Sequence, residues 1–246
     1  MIPDNIKEYF KSDSCTFDFK KQIVPEYKHP HELVNWILYS SGWPYFPVSL
    51  PNAPYLEMLK EAQALEPLFN PHRIDTDIPS EYSNKGWSSL CLHGESWNKT
   101  DHWASYEENK SKTQKDIIYD WCEEITDLCP TTTKYFKEQF PYESYDRLRF
   151  MYLAPGGYIQ QHVDRDTSLL SPINISLNNP EGCIFRMKDL GDVPFNNNGG
   201  ACLVDISNPH SVWNNSDTPR IHIIVHGVQN QKFNDIVYNS YVDLIK

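Results

Sequence analysis

Several things are scarce or missing in this 246-residue chain. Basic residues are outnumbered, 22 against 33 acidic ones, for a formal net charge of -11. General affinity for phosphate backbones needs clustered Lys and Arg, so nucleic acid is excluded as the expected partner. No segment approaches the roughly 20 apolar residues of a membrane span, and the start has no basic stretch followed by an apolar one. That predicts no membrane association and a cytoplasmic location. The six cysteines (15, 91, 122, 129, 183, 202) form no CxxC pair, which argues against a thiolate zinc site and predicts buried thiols. No repeat and no low-complexity tract is present, so neither a solenoid nor a flexible linker divides the chain.

What is present is ample core material: 39% hydrophobic residues and 13% aromatics, including 7 Trp and 15 Tyr. This supports one compact unit. Residues 1–85 read as an irregular, proline-bearing extension with short helices from His31 and from Tyr55, packed on a domain at 86–246. His29 and His31 have no acidic or Cys partner nearby and are read as loop. Spacing predicts an amphipathic helix from Ser111 to Leu128, burying Ile117, Ile118, Trp121, Cys122, Ile125 and Leu128 and stopped by Pro130. A second short helix follows from Thr131 to Phe140. Beyond it, Leu148 to Leu153, Ile173 to Leu177, Cys183 to Met187, Ala201 to Ile206 and Ile221 to Val225 read as short strands separated by turns. The class is mainly β with helical additions (α+β), an antiparallel barrel or jelly roll whose mouth can bury a small ligand.

The most informative stretch is Gln161-His162-Val163-Asp164. On a strand, alternation puts His162 and Asp164 on one face, within reach of one ion. His210, just after an apolar run, is the candidate third ligand. Two imidazoles and a carboxylate leave sites open on iron(II) for a cosubstrate and dioxygen together. An isolated HxD is common, and alone it reads equally as a surface turn. Arg220 adds weight: it opens a run in which Arg220, His222, Ile224 and His226 share one face while Ile221, Ile223 and Val225 share the other. A guanidinium there suits a buried carboxylate, the competing reading being an ordinary salt bridge. His222 or His226 replaces His210 as ligand in a less favoured arrangement. Arg149, Tyr152, Tyr158 and Trp213 are candidates for the substrate-binding wall, with packing an equal alternative for each. The stretch from Asp164 to Ser171 is a candidate cover for the mouth.

These pieces, with the Gly86-Trp87 opening, Leu128-Cys129-Pro130-Thr131, Leu153-Ala154-Pro155-Gly156, Glu181-Gly182-Cys183 and His210 to Asn214, stand in an order that resembles the aspartyl/asparaginyl β-hydroxylase branch of the 2-oxoglutarate oxygenases. The resemblance covers about Gly86 to Gly227 and implies a double-stranded β-helix (jelly roll, cupin-like) core. It further implies Fe(II), with 2-oxoglutarate and O2 as cosubstrates, and hydroxylation of an unactivated carbon of an amino acid or of a peptidyl or protein residue, releasing succinate and CO2. By that resemblance His162, Asp164 and His210 bind the metal, and Arg220, with Asn174 and His222 beside it, binds 2-oxoglutarate. Two features depart from the branch. Its animal enzymes lack the metal carboxylate, whereas Asp164 is similar to that of free-standing amino-acid hydroxylases. Asn174 lies in a strand that usually carries a basic residue. Two other classes stay open: a non-catalytic cupin-like binding protein, and a zinc-dependent hydrolase using the same His/Asp/His set.

Overall fold

A computed structural model describes residues 2–11, 17–72, 84–101 and 103–246. The strands, in chain order, are β1 (Tyr45–Val48), β2 (Asn70–Pro71), β3 (Asn84–Gly94), β4 (Asp120–Trp121), β5 (Tyr142–His162), β6 (Ile173–Asn178), β7 (Cys183–Met187), β8 (Gly191–Asp192), β9 (Gly200–Val204), β10 (His210–Asn214) and β11 (Arg220–Gln229). The α-helices are α1 (Asp4–Lys7), α2 (Pro30–Tyr39), α3 (Tyr55–Ala64), α4 (Glu123–Thr126), α5 (Pro130–Glu138) and α6 (Gln231–Ile245). All strand pairings are antiparallel, in the order β1-β9-β6-β11-β5-β10-β7-β8, with β3 added along β5. The long strand β5 belongs to both layers. Its first half pairs with β11 and its last residues pair with β10. The sheet thus curls on itself into a double-stranded β-helix, with one layer built on β6, β9 and β11 and the other on β7 and β10.

The bend in β5 occurs at Pro155-Gly156-Gly157. Gly156 has φ 68°, a left-handed conformation that glycine adopts without a Cβ penalty. A Cβ on Gly157 would lie 2.7 Å from the Lys85 carbonyl oxygen and 2.8 Å from that of Ala154. On β11 the expected two-faced pattern holds. Ile221, Ile223 and Val225 are fully buried in the main core, each contributing on the order of 2 kcal/mol by burial.

The N-terminal part does more than cover the barrel. β1 pairs with β9, extending the main sheet, and one apolar cluster runs from Phe19 and Trp43 through Phe150 and Ile223 to Phe233 on α6. The helices expected from His31 and Tyr55 are α2 and α3. His31 lies in the first turn of α2 rather than in a loop, because Pro30 occupies the first helical position with its φ preset for helix. Of the cysteines, 91, 122, 129 and 202 are buried and free, 183 is half-buried and free, and Cys15 lies outside the described residues.

The helix expected from Ser111 to Leu128 does not form. The segment makes a single 3-10 turn at Gln114–Asp116, the short strand β4 and the one-turn α4. Asp116 takes the Thr113 backbone N–H at 2.7 Å and its hydroxyl at 2.9 Å, closing the turn. The Cys122 N–H is given to the Leu92 carbonyl at 2.9 Å, so β3 claims the backbone that an i to i+4 ladder would have used. Ile118 is 82% exposed and Leu128 54% exposed. Pro130 starts α5 rather than ending a helix, and the Glu61 carboxylate accepts from the Thr131 and Thr132 N–H groups at 2.7 and 2.8 Å, satisfying donors that a helix start leaves open.

Candidate metal and cosubstrate site

His162 ends β5 and His210 begins β10, and the two are direct register partners. Their rings stand 4.3 Å apart between centroids. Each Nδ1 is tied to the carbonyl two residues back, His162 to Gln160 at 2.8 Å and His210 to Asn208 at 2.9 Å. A carbonyl only accepts, so the proton sits on Nδ1 in both rings, and both Nε2 lone pairs are left to act as ligands. Asp164 lies across from them, with His162 Nε2 at 3.5 Å from Oδ1 and His210 Nε2 at 3.6 Å from Oδ2. The Asp164 N–H donates to the Ile206 carbonyl at 3.1 Å, which fixes the backbone after the strand end. The ligand atoms of all three lie within 4.8 Å of one another, a spacing that one divalent ion spans. The residues present therefore fit a facial His/Asp/His metal site. Phe185 stacks on the His210 ring, 5.4 Å between centroids and 5° between planes.

The three ligands line a cavity of about 390 Å³, together with Arg220, Asn174, Arg149, Arg147, Arg165, His226 and Asp101. Arg220 is buried and no carboxylate lies within 4 Å of it among the described residues, so the salt-bridge reading fails. It sits over the Phe195 and Phe185 rings, 5.6 and 6.0 Å to their centroids, and its Nε has no hydrogen-bond partner. Burial pushes its pKa down to about 10, which leaves it cationic at neutral pH. Its Nη2 is 2.9 Å from His222 Nδ1, which in turn is 2.6 Å from the Asn174 side-chain amide. A guanidinium only donates, so the single Nδ1 lone pair accepts from Arg220, with Asn174 Oδ1 packed against the same edge of the ring. Burial, and then the Arg220 charge, hold the His222 pKa well below the ordinary histidine range, so the ring is neutral. A fixed, buried cation without a counter-ion, facing a cavity, is the arrangement a carboxylate ligand completes.

The wall candidates divide by strand parity. Arg149 faces the cavity with Arg147 and Met151. Tyr152 is one step out of phase and points away, donating to Glu66 at 2.8 Å and packing against Phe69. Tyr158 belongs to a separate apolar cluster with Ile2 and Ile6, and Trp213 packs on Phe10 at 5.6 Å on that same outer side. These three aromatics do not line the cavity, and their neighbours Met151, Ile159 and Val212 occupy the inward positions. His222 and His226 stand outside the metal cluster.

Several cavity residues were not singled out from the sequence. Arg147 and Met151 were available from the parity of Arg149. His72 and Asp101 reach the cavity from distant segments and carry no local signal, and Trp87, whose ring lies 4.1 Å from that of His72, was a family landmark without a cavity role assigned to it. Of the stretch from Asp164 to Ser171, only Asp164 and Arg165 are among the residues lining the cavity.

Residues 53–229 match the family described as aspartyl/asparaginyl beta-hydroxylase. A comparison with curated proteins found no match. Among solved structures, the chain is similar to a Pseudomonas putida prolyl-4-hydroxylase at 13% identity, covering 82% of this chain and 99% of that one with a TM-score of 0.41. It is also similar to a Trichoplax adhaerens prolyl hydroxylase in complex with a hypoxia inducible factor oxygen degradation domain peptide fragment (11% identity, 83% and 92% coverage, TM-score 0.43). A third is the viral collagen prolyl hydroxylase of Paramecium Bursaria Chlorella virus-1 in its 2OG complex (11% identity, 75% and 95% coverage, TM-score 0.38). With a family match over most of its length, a curled antiparallel barrel and a His/Asp/His cluster at its mouth, this chain belongs to the aspartyl/asparaginyl beta-hydroxylase family and is a 2-oxoglutarate-dependent hydroxylase.

Proposed function

We propose that the chain is an Fe(II)- and 2-oxoglutarate-dependent dioxygenase that hydroxylates an unactivated carbon of an amino acid or a peptidyl or protein residue, releasing succinate and CO2. One observation carries the reading: the convergent Nε2, Nε2 and carboxylate of His162, His210 and Asp164 share a cavity with Arg220, a buried cation without a carboxylate partner among the described residues. Iron(II), when bound, supplies the activation of dioxygen. The chain's own groups do the rest. The Nδ1–H bonds to Gln160 and Asn208 fix the ring orientation and aim both Nε2 atoms at the ion position. Arg220 receives the distal carboxylate of 2-oxoglutarate and is held in place by neutral His222, with Asn174 behind it. Phe185 and Phe195 shield that cation from water, which strengthens its attraction for a carboxylate.

A zinc hydrolase would use the same three ligands but gives Arg220 no task, and a non-catalytic barrel gives none to the aimed Nε2 pair. The deciding measurement is anaerobic addition of Fe(II) and 2-oxoglutarate to the pure protein, read as the visible charge-transfer band of the chelate. The band is expected for the wild type and absent in His210→Ala. At 2-oxoglutarate levels that saturate the wild type it is also absent in Arg220→Ala. A protein that gives no band, or a band unchanged in both variants, refutes the assignment.

A further inference from the structure

The cavity has a second cationic end. Along β11, Arg220 and His226 are separated by about 20 Å at strand rise. Across from it on β5, Arg147 pairs with His226 and Arg149 with Ile224, at the end of the cavity floor remote from Arg220. Arg165 reaches the same cavity from the loop that follows the metal carboxylate. Arg149 is 6% exposed. One of its terminal nitrogens donates to the Thr100 carbonyl, while its Nε has no partner. Arg165 has two buried nitrogens without a partner, Nε and Nη2. Among the described residues, none of these three arginines has a carboxylate within 4 Å.

The chain has acidic residues to spare, and Asp205 and Asp164 attract Arg165 from a distance, but among the described residues none closes an ion pair with these arginines. Asp101 and Asp164 also line the cavity and attract Arg149 from a distance, but Asp164 is committed to the metal site. Burial and then the neighbouring Arg147 lower the pKa of Arg149 to about 10, still cationic at neutral pH. Keeping Arg149 buried beside Arg147, with donors on Arg149 and Arg165 short of acceptors, is unfavourable, and an anionic ligand offsets that cost. The unpartnered donors come from two elements, β5 and the loop, so one ligand meets them with two separate groups.

We propose that Arg149 and Arg165, supported by Arg147, are specificity-determining residues that select a compact substrate carrying two anionic groups. This inference rests on the function proposed above. The shared chemistry is a small molecule with two oxyanionic groups, supplied either by two carboxylates or by a carboxylate and a phosphate monoester. A cavity of about 390 Å³ must hold 2-oxoglutarate as well, which favours a ligand of amino-acid size. An amide in place of one anion keeps one acceptor oxygen but loses the charge and turns an NH2 donor toward a guanidinium donor, a mismatch expected to cost at least tenfold. The reaction balances as R–H plus 2-oxoglutarate plus O2 giving R–OH plus succinate plus CO2. One oxygen atom goes to each organic product, and the substrate's anionic groups are unchanged.

The test is calorimetric titration of protein already saturated with Fe(II) and 2-oxoglutarate under argon. The probes are aspartate, glutamate and O-phosphoserine, each against its counterpart with one anionic group: asparagine, glutamine and serine. At least one doubly anionic probe should bind at least tenfold more tightly than its counterpart. The aspartate, glutamate and phosphoserine arms identify which anion chemistry is used. Arg149→Gln and Arg165→Gln should each weaken that binding at least tenfold, with the charge-transfer band unchanged, and Arg149→Lys should retain part of it. Arg165 lies on a loop, so its variant tests the idea even if Arg149→Gln misfolds. Equal binding of the counterparts, no binding of any doubly anionic probe, or unchanged binding in Arg165→Gln overturns the inference. A normal band with no preference for two anions sinks this inference alone. A missing band in the wild type sinks the proposed function and this inference with it.

Discussion

His162 and His210, far apart in sequence, are opposite residues on neighbouring strands, with their ring centroids 4.3 Å apart and each Nδ1 bonded to the backbone two residues earlier. The metal site is thus a property of sheet register. A substitution that keeps the register but removes one Nε2 should abolish metal binding without unfolding the barrel. For His210→Ala we expect circular dichroism close to wild type and loss of Fe(II) affinity by at least about 100-fold. Retained affinity would mean that the ion uses other ligands.

Arg220→Met should act in opposite directions on binding and on stability. Removing one partner of a buried charge pair costs about 3–5 kcal/mol, so 2-oxoglutarate affinity should fall by about two to four orders of magnitude. Without cosubstrate, the variant loses a buried cation that has no carboxylate partner among the described residues, and its Tm should be equal to or above that of the wild type. A lowered Tm with unchanged 2-oxoglutarate affinity would make Arg220 a structural residue.

Acid should destabilise the metal-free protein through His222. Its folded pKa lies well below the ordinary value, first through burial and then through the charge of Arg220. In the unfolded chain it titrates near the ordinary histidine value of about 6.5. Below that pH the unfolded state takes up a proton that the folded state refuses. Stability from this residue is therefore intact above about pH 6.5 and declines as pH falls, by at most about 1.4 kcal/mol per unit. Thermal unfolding between pH 7 and pH 5 should show a shallower decline in His222→Asn than in the wild type. Parallel curves would refute the assignment.

Gly157→Ala should break the bend that carries β5 from one layer to the other. Its Cβ would meet two backbone oxygens at 2.7 and 2.8 Å, and backbone cannot yield as a side-chain tip does. We expect a loss of about 1–3 kcal/mol in denaturant unfolding, together with weaker metal binding because His162 lies on the displaced half. A stable variant with full metal affinity would show that the bend accommodates a side chain.

Trp213→Ala separates packing from recognition. The ring lies on the outer side of the barrel against Phe10, so the variant should lose about 1–3 kcal/mol of stability while 2-oxoglutarate affinity and substrate KM stay at wild-type values. A raised KM with unchanged stability would return Trp213 to the substrate wall.

Local pattern was enough for the features that repeat every two residues. The two faces of β11, the cores of β5, β6, β7 and β9, and the shared side of His162 and Asp164 were legible because alternation is intrinsic to an extended chain. The same rule, carried through from Arg149, would have placed Tyr152 outside. The expected helix at 111–128 failed for a non-local reason: its apolar spacing is helical, but β3 captures the backbone at Cys122 and a side-chain carboxylate closes the turn at Thr113.

The sequence by itself determined the class of the fold and pointed to the three candidate metal ligands and the candidate anchor Arg220, since these rest on residue type and short-range periodicity. Only the tertiary structure decided that Arg220 lacks a carboxylate partner among the described residues, that His222 steadies it, and that Arg147, Arg149 and Arg165 collect at the other end of the cavity. Whether a charge is paired depends on what distant segments bring within a few ångströms of it. No spacing along the chain encodes that distance.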